Sequence, residues 1–357
     1  MNRMIHPLSR DLDFVLDQTA AVWPELRGGS IFITGGTGFF GCWLLESFAW
    51  ANDKLHLDAQ AVVLTRNPEA FREKAPRLAC HPSVRLLPGD VRDFDFPSGS
   101  FSHVIHAAAE SASGLNERDP LAMLDHLAAG TRHVLDFAVA CGARKFLLTS
   151  SGAVYGQQPP EVSHLPESWH GAPDPVNPRS AYAEGKRTAE LLCAIYNQRY
   201  GLETRIARGF AFVGPYLPLD KHFAIGNFIR DGLAGGPIRV SGDGTPVRSY
   251  LYAADLAAWL WTILARGEPC RPYNVGSEAA MSIAETARAV AAVSGLNCAI
   301  EVAGRPAVAA AHRYVPSTAR AQGELGLRQL TRLEEGIRRT LEWNTAHAPN
   351  PSEVCPC

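Results

Sequence analysis

The stretch "SIFITGGTGFFGCWLLESFAWA", from Ser30 to Ala51, most narrows what this chain can fold into. A short apolar, β-rich run ends in glycines, and a segment of helical length and periodicity follows at once. Gly35, Gly38 and Gly41 fall between them as G-x-x-G-x-x-G. Glycines there permit a tight turn and a close backbone approach. The opening helix adds unpaired N–H groups and a partial positive charge. Strand, glycine turn and helix in that order cradle a pyrophosphate, which predicts a dinucleotide site.

The alternation continues downstream. "AQAVVLTR" (59–66) reads as a strand, "PEAFREKAPRLA" as helical, and "VRLLPGDVRD" as a strand with its exit loop. "FSHVIHAAA" (101–109) and "KFLLTSS" (145–151) are further strands, with the long helical run from Asp119 to Gly142 between them. Such alternation predicts parallel β-α-β units, an α/β fold with a doubly wound sheet. Residues 152–180 turn Pro-rich, a long loop of the kind that covers an active site. At 357 residues the chain exceeds the usual span of one core. The expected layout is a helical extension over 1–29, a nucleotide-binding domain over 30–215 and a tail over 346–357. Between them, 216–345 reads as a smaller, mainly substrate-binding α/β domain, with some segments returning to the first.

Composition removes several classes of function. A net charge of −2 without a polybasic run argues against nucleic acid and against a membrane surface. No apolar stretch reaches the roughly 18 residues that span a bilayer. The first residues lack the apolar core of a signal peptide. The expectation is a soluble, cytoplasmic protein. Its eight cysteines are scattered, with no C-x-x-C pair to hold zinc, so no metal is expected. They read as reduced packing residues, and Cys355 and Cys357 as part of a frayed tail.

"SAYAEGKRTAE" (180–190) opens a helix that Ser180 is placed to cap. Tyr182 and Lys186, four residues apart, share one face of it. Alone, the pair describes a solvated face as readily as an acid–base device.

Seven segments settle the matter by their order and spacing. "TGGTGFFG", "GDVRD", "VIHAAA", "LLTSSGAVYG", "YAEGK", "RGFAFVGP" and "GDGTPVRSYLYAADLA" together resemble the extended short-chain dehydrogenase/reductase family. Its members are nucleotide-sugar epimerases, dehydratases and ketoreductases. The likeness runs over about residues 30–345 and implies a Rossmann-type domain followed by a substrate domain. It makes Tyr182 the acid–base residue, Lys186 the charge that tunes it and binds the nicotinamide ribose, and Ser151 the hydroxyl that orients substrate, with Ser150 beside it. NAD or NADP would lie over Gly35, Thr37, Gly38, Phe39, Phe40 and Gly41, against Ala107 and Ala108, with Asp90 and Val91 flanking adenine. Arg248 and Asn227 would hold the diphosphate of a nucleotide sugar. A homodimer through the two longest helices of the first domain is also implied.

Departures from the family pattern shape the expected reaction. Dehydratases carry an Asp-Glu pair after the active-site hydroxyl, and UDP-glucuronate decarboxylases a Glu, where Gly152 and Ala153 stand here. What remains is hydride chemistry at a sugar carbon, as in a 4-epimerase or 4-ketoreductase that serves polysaccharide assembly. The alternative is a 4,6-dehydratase or UDP-glucuronate decarboxylase-like enzyme. A non-catalytic dinucleotide scaffold would be expected to have lost Tyr182, Lys186 or Ser151. The second strand ends in Thr65 and Arg66 rather than in an acid, which leans to the 2′-phosphate of NADP; the other reading of Arg66 is a surface residue. Ala211 and Leu127 replace asparagines common in the family, and His106 reads as a packed strand-end histidine.

Overall fold

The glycine turn lies where the strand order of the central sheet reverses. The computed structural model describes residues 6–108, 115–221, 223–295, 299–304 and 312–347. Its sheet contains β1 (Ser30–Thr34), β2 (Gln60–Thr65), β3 (Val84–Pro88), β4 (His103–His106), β5 (Lys145–Ser151) and β6 (Glu203–Gly209). A seventh strand, Pro272–Val275, pairs with β6. The order across the sheet is Pro272–Val275, β6, β5, β4, β1, β2, β3. Every pairing is parallel. The chain therefore winds outward in both directions from β1 and β4, and the crevice between their C-terminal ends is where such sheets take ligands.

Successive side chains of a strand point to opposite faces, and β1 divides its residues accordingly. Ile31 and Ile33 pack with α2 (Phe39–Leu55) and the helix Ala253–Arg266. Phe32 packs with the helices Pro120–Ala140 and Ala181–Tyr200 on the other face. Those two helices come close at Gly185, where a Cβ would stand 2.7 Å from Leu127 Cδ1.

The N-terminal extension forms α1 (Ser9–Gln18) and a 3-10 turn, Trp23–Leu26. Asp11 is buried and accepts a hydrogen bond from Tyr252 Oη at 2.7 Å. It also pairs with Arg339, so one carboxylate joins three distant segments. The run 253–266 is one of the segments that return to the first domain: it is buried on every side because it lies between α1 and the main sheet. With Pro272–Val275 closing that sheet, residues 216–345 are not one contiguous body in space. What gathers apart from the sheet is the helices Ala224–Leu233 and Ile283–Ser294 with short strands, among them Val247–Arg248. That strand pairs in parallel with Arg313–Tyr314, opposing Arg248 to Tyr314.

The 152–180 segment begins and ends in 3-10 turns, Gly152–Tyr155 and Pro178–Ser180. In between it grips the stretch after Tyr314: Val315 N–H donates to Gln158 Oε1 and Ser317 N–H to the Leu165 carbonyl, at 2.9 and 2.8 Å. Among the described residues no helix is long and apolar enough to cross a membrane. No described cluster of His, Cys, Asp and Glu could hold a metal ion. Cys42, Cys141, Cys193 and Cys270 are free thiols, and Cys298, Cys355 and Cys357 lie outside the described residues.

Candidate active site

The three glycines do separate work at the crevice. Gly35 has φ +71°, and a Cβ on it would fall 2.4 Å from the Ala107 carbonyl carbon. A Cβ on Gly41 would fall 2.3 Å from the Gly35 oxygen. Gly38 is the residue from which α2 starts, and its N–H donates to the Gly35 carbonyl at 3.0 Å. The backbone is thus bare at the head of α2, where first-turn N–H groups point outward. Beside it opens a cavity of about 310 Å³ lined by Thr37, Arg66, Lys74, Val91, Ala107 and Ala108, among others. Two cations and no carboxylate face this space among its described lining residues. A side-chain-free cradle next to a cationic cavity fits a dinucleotide. Lys74 (at the end of α3, Pro68–Lys74) donates to the Thr37 carbonyl at 2.8 Å, a contact absent from the motif reading. Asp90 has its carboxylate on Arg92 at 2.8 Å, which holds it below the usual carboxylate range.

The adjoining cleft, about 580 Å³, shares Gly35, Gly38 and Ala107 with that cavity. Phe39, Phe40, Ser150, Ser151, Tyr182, Lys186 and Arg248 line it. Ser180 does not cap the helix that carries Tyr182, because its backbone is already helical, at φ −77° and ψ −7°. The Asn116 carboxamide takes that role: its Oδ1 accepts from Tyr182 N–H and its Nδ2 donates to the Arg179 carbonyl, both at 2.9 Å.

Lys186 is buried and donates to the Thr149 carbonyl at 2.7 Å; burial brings its ammonium down to about 8. Burial pushes the Tyr182 phenol up, and the Ser151 hydroxyl, hydrogen-bonded to it, pulls it back. Ser151 is thus a group that lowers the Tyr182 phenol against the effect of burial. Ser151 Oγ in turn accepts from Ala153 N–H at 3.1 Å and lies 3.4 Å from Tyr314 Oη.

The remaining residues fall less simply. Ser150 turns its hydroxyl onto Glu190 at 2.5 Å, and Arg208 grips the same carboxylate at 2.9 and 2.6 Å. Its hydroxyl is thus committed to a structural ion pair. Arg248 is half-buried, and its Nη1 donates to the Val247 carbonyl at 2.9 Å while reaching the cleft. Asn227 is not among the lining residues, and Arg230 donates to its Oδ1 at 3.4 Å. Lys221, Phe223 and Ile225 line that end of the cleft instead. His106 is buried between Thr34 and Thr131, at 2.7 and 3.1 Å, and burial holds its imidazole neutral, as its strand-end position suggested.

An enzyme of the Rossmann type, built to work with a dinucleotide, is what this sheet and cleft describe. The chain belongs to the NAD dependent epimerase/dehydratase family, whose profile matches residues 31–276. It is 31% identical to UDP-glucuronic acid decarboxylase 1 of Xenopus tropicalis over 88% of its own length and 71% of that protein. With UDP-glucuronic acid decarboxylase 3 of Arabidopsis thaliana it shares 30% identity, over 88% of this chain and 87% of the relative. Among solved structures, UDP-glucose 4-epimerase from Thermotoga maritima superposes with a TM-score of 0.74 at 20% identity, covering 90% of this chain and all of that one. The dTDP-glucose 4,6-dehydratase DesIV of Streptomyces venezuelae, solved with NAD, gives 0.74 at 24% identity, over 89% and 97%.

Proposed function

We propose that the chain is a nucleotide-sugar enzyme that moves a hydride at one sugar carbon, as a 4-epimerase or 4-ketoreductase. The observation that supports this most is the cleft itself. Ser151, Tyr182 and Lys186 line it, and no Asp or Glu stands among its described lining residues. A bound NAD or NADP would supply the hydride acceptor or donor, held over Gly35, Gly38 and Gly41. Tyr182 would take the proton of the sugar hydroxyl while Ser151 holds the same oxygen, and would return that proton on reduction. Arg248, aided by the Lys221 side of the cleft, suits the diphosphate. Arg66 and Lys74 on the adenosine side favour NADP.

The relatives bring forward a second reading, oxidative decarboxylation of a nucleotide glucuronate. Once C4 is a ketone, the C5 carboxylate belongs to a β-keto acid. The electrons of the breaking C–CO₂ bond then pass to the C4 oxygen, which would face Ser151 and Tyr182. Carbon dioxide can leave in this way without an acid at Ala153, so the missing glutamate does not remove this chemistry.

The test is to incubate the purified chain with UDP-glucose or UDP-glucuronate and NAD⁺ or NADP⁺, and with a nucleotide 4-keto sugar and NADPH. Products are read by NMR and mass. Epimer or alcohol of unchanged carbon count supports the first reading, loss of carbon dioxide the second, and loss of water overturns both. Tyr182→Phe should lower kcat by about a hundred- to ten-thousandfold with cofactor affinity intact; full activity would overturn the site.

A further inference from the structure

Tyr314 reaches the catalytic serine from the far end of the chain. Its ring packs against Phe210 at a tilt of 34°, with centroids 4.6 Å apart. Its hydroxyl donates to the Gly209 carbonyl at 3.4 Å and stands 3.4 Å from Ser151 Oγ. The space it occupies exists only because residue 152 is glycine: a Cβ there would lie 2.7 Å from Tyr314 Oη and 2.7 Å from Phe210 Cζ. The absence of a side chain after the serine therefore has a structural counterpart, a phenol that fills the position from the other side. The 152–180 segment pins the backbone just after Tyr314 through Gln158 and Leu165, so this placement is held from both directions.

Counting lone pairs and protons shows what the contact does. A serine hydroxyl has two acceptor sites and one proton. Ala153 N–H fills one acceptor site at 3.1 Å. We propose that Tyr314 is a positioning residue for Ser151: its one proton is shared between the Gly209 carbonyl and the second acceptor site of Ser151, which turns the serine's own proton toward the cleft. Ser151 then donates to the Tyr182 oxygen, or to the sugar oxygen shared with it. A donor fixed in that direction favours the Tyr182 phenolate and a developing alkoxide. Burial pushes the Tyr314 phenol up, which keeps its proton in place to be donated.

The proposal rests on Tyr182 being the acid–base residue, and its test separates the two. The charged and titrating groups around the serine are Tyr182 and Lys186 from the helix 181–200, Tyr155 from the 3-10 turn, Arg208 with Glu190, and Arg248 with His312 from the strand beside Tyr314. Tyr314→Phe leaves all of them unchanged and keeps the ring against Phe210. With the full chain saturated with NAD⁺ or NADP⁺, the Tyr182 phenolate is followed at 295 nm as the difference between a protein and its Tyr182→Phe counterpart across pH. Removing one hydrogen bond to the serine should raise the Tyr182 midpoint by about half a unit to one unit in Tyr314→Phe. Gly152→Ala, which displaces the phenol, should move it the same way. An unmoved or lowered midpoint in Tyr314→Phe, beside a normal Tyr182 titration in the parent, overturns the proposal alone. No Tyr182-dependent titration in the parent overturns the catalytic reading and the proposal together.

Discussion

A phenol enclosed by protein holds its proton, and a base must give that proton up. Burial raises the Tyr182 phenol here, and the Ser151 hydroxyl is the group that counters it. The helix 181–200 sets the position of that phenol, and Asn116 fixes it by gripping both Tyr182 N–H and the Arg179 carbonyl. Asn116→Ala should lower kcat by about ten- to a hundredfold through misplacement of the phenol, with cofactor affinity little changed. Steady-state kinetics beside a cofactor titration checks this. Tyr182, Lys186 and Ser151 were legible because their motifs are local and chemically specific. Asn116 and Tyr314 were not, since each meets its partner across 66 and 163 residues respectively, and no spacing rule reaches that far. Ser150 lines the cleft beside Ser151, but its hydroxyl bonds Glu190, a partner 40 residues away that the motif does not show.

Strand β4 carries a buried histidine at each end. His106 is held neutral by burial, well below its ordinary 6.5. His103 is brought to about 4, by burial first and then by Lys145 and Arg205. As pH falls below 6.5 the unfolded chain takes up protons that these histidines refuse in the folded state. Their contribution is complete above about pH 6.5 and is lost on acidification, with a limiting slope of about 1.4 kcal/mol per pH unit for each group. Denaturant midpoints at pH 7.5, 6 and 5 should fall in the parent and fall less steeply in His106→Gln. The elements themselves were largely legible, because strands and helices alternate with clear periods. Their partners were less so. The helix 253–266 is mostly apolar and buried nearly all round, and such a pattern does not tell which layer it fills; α1 and the sheet claim it from opposite sides.

Across the whole molecule the doubly wound sheet was foreseeable from the glycine turn, but the division at residue 216 followed a change in pattern rather than a break in packing. Leu121, 69% exposed, lies on the helix 120–140, and Leu191 and Ile195, 62% and 43% exposed, on its neighbour. A homodimer through these helices would cover them, and Leu191→Glu should convert it to a monomer on size-exclusion chromatography with the melting temperature of the chain near its parent value. A monomeric parent would refute that assembly. The edge strand Pro272–Val275 has a consequence for how the molecule is made. A ribosome that has released only the chain through β6 holds a sheet whose last strand still shows a row of unpaired N–H and C=O groups. Such an edge is a template for pairing with other chains, and it stays open until the polypeptide has travelled out through the smaller lobe and come back. Vectorial synthesis thus leaves the dinucleotide half of this protein unfinished until well after its glycine cradle has emerged.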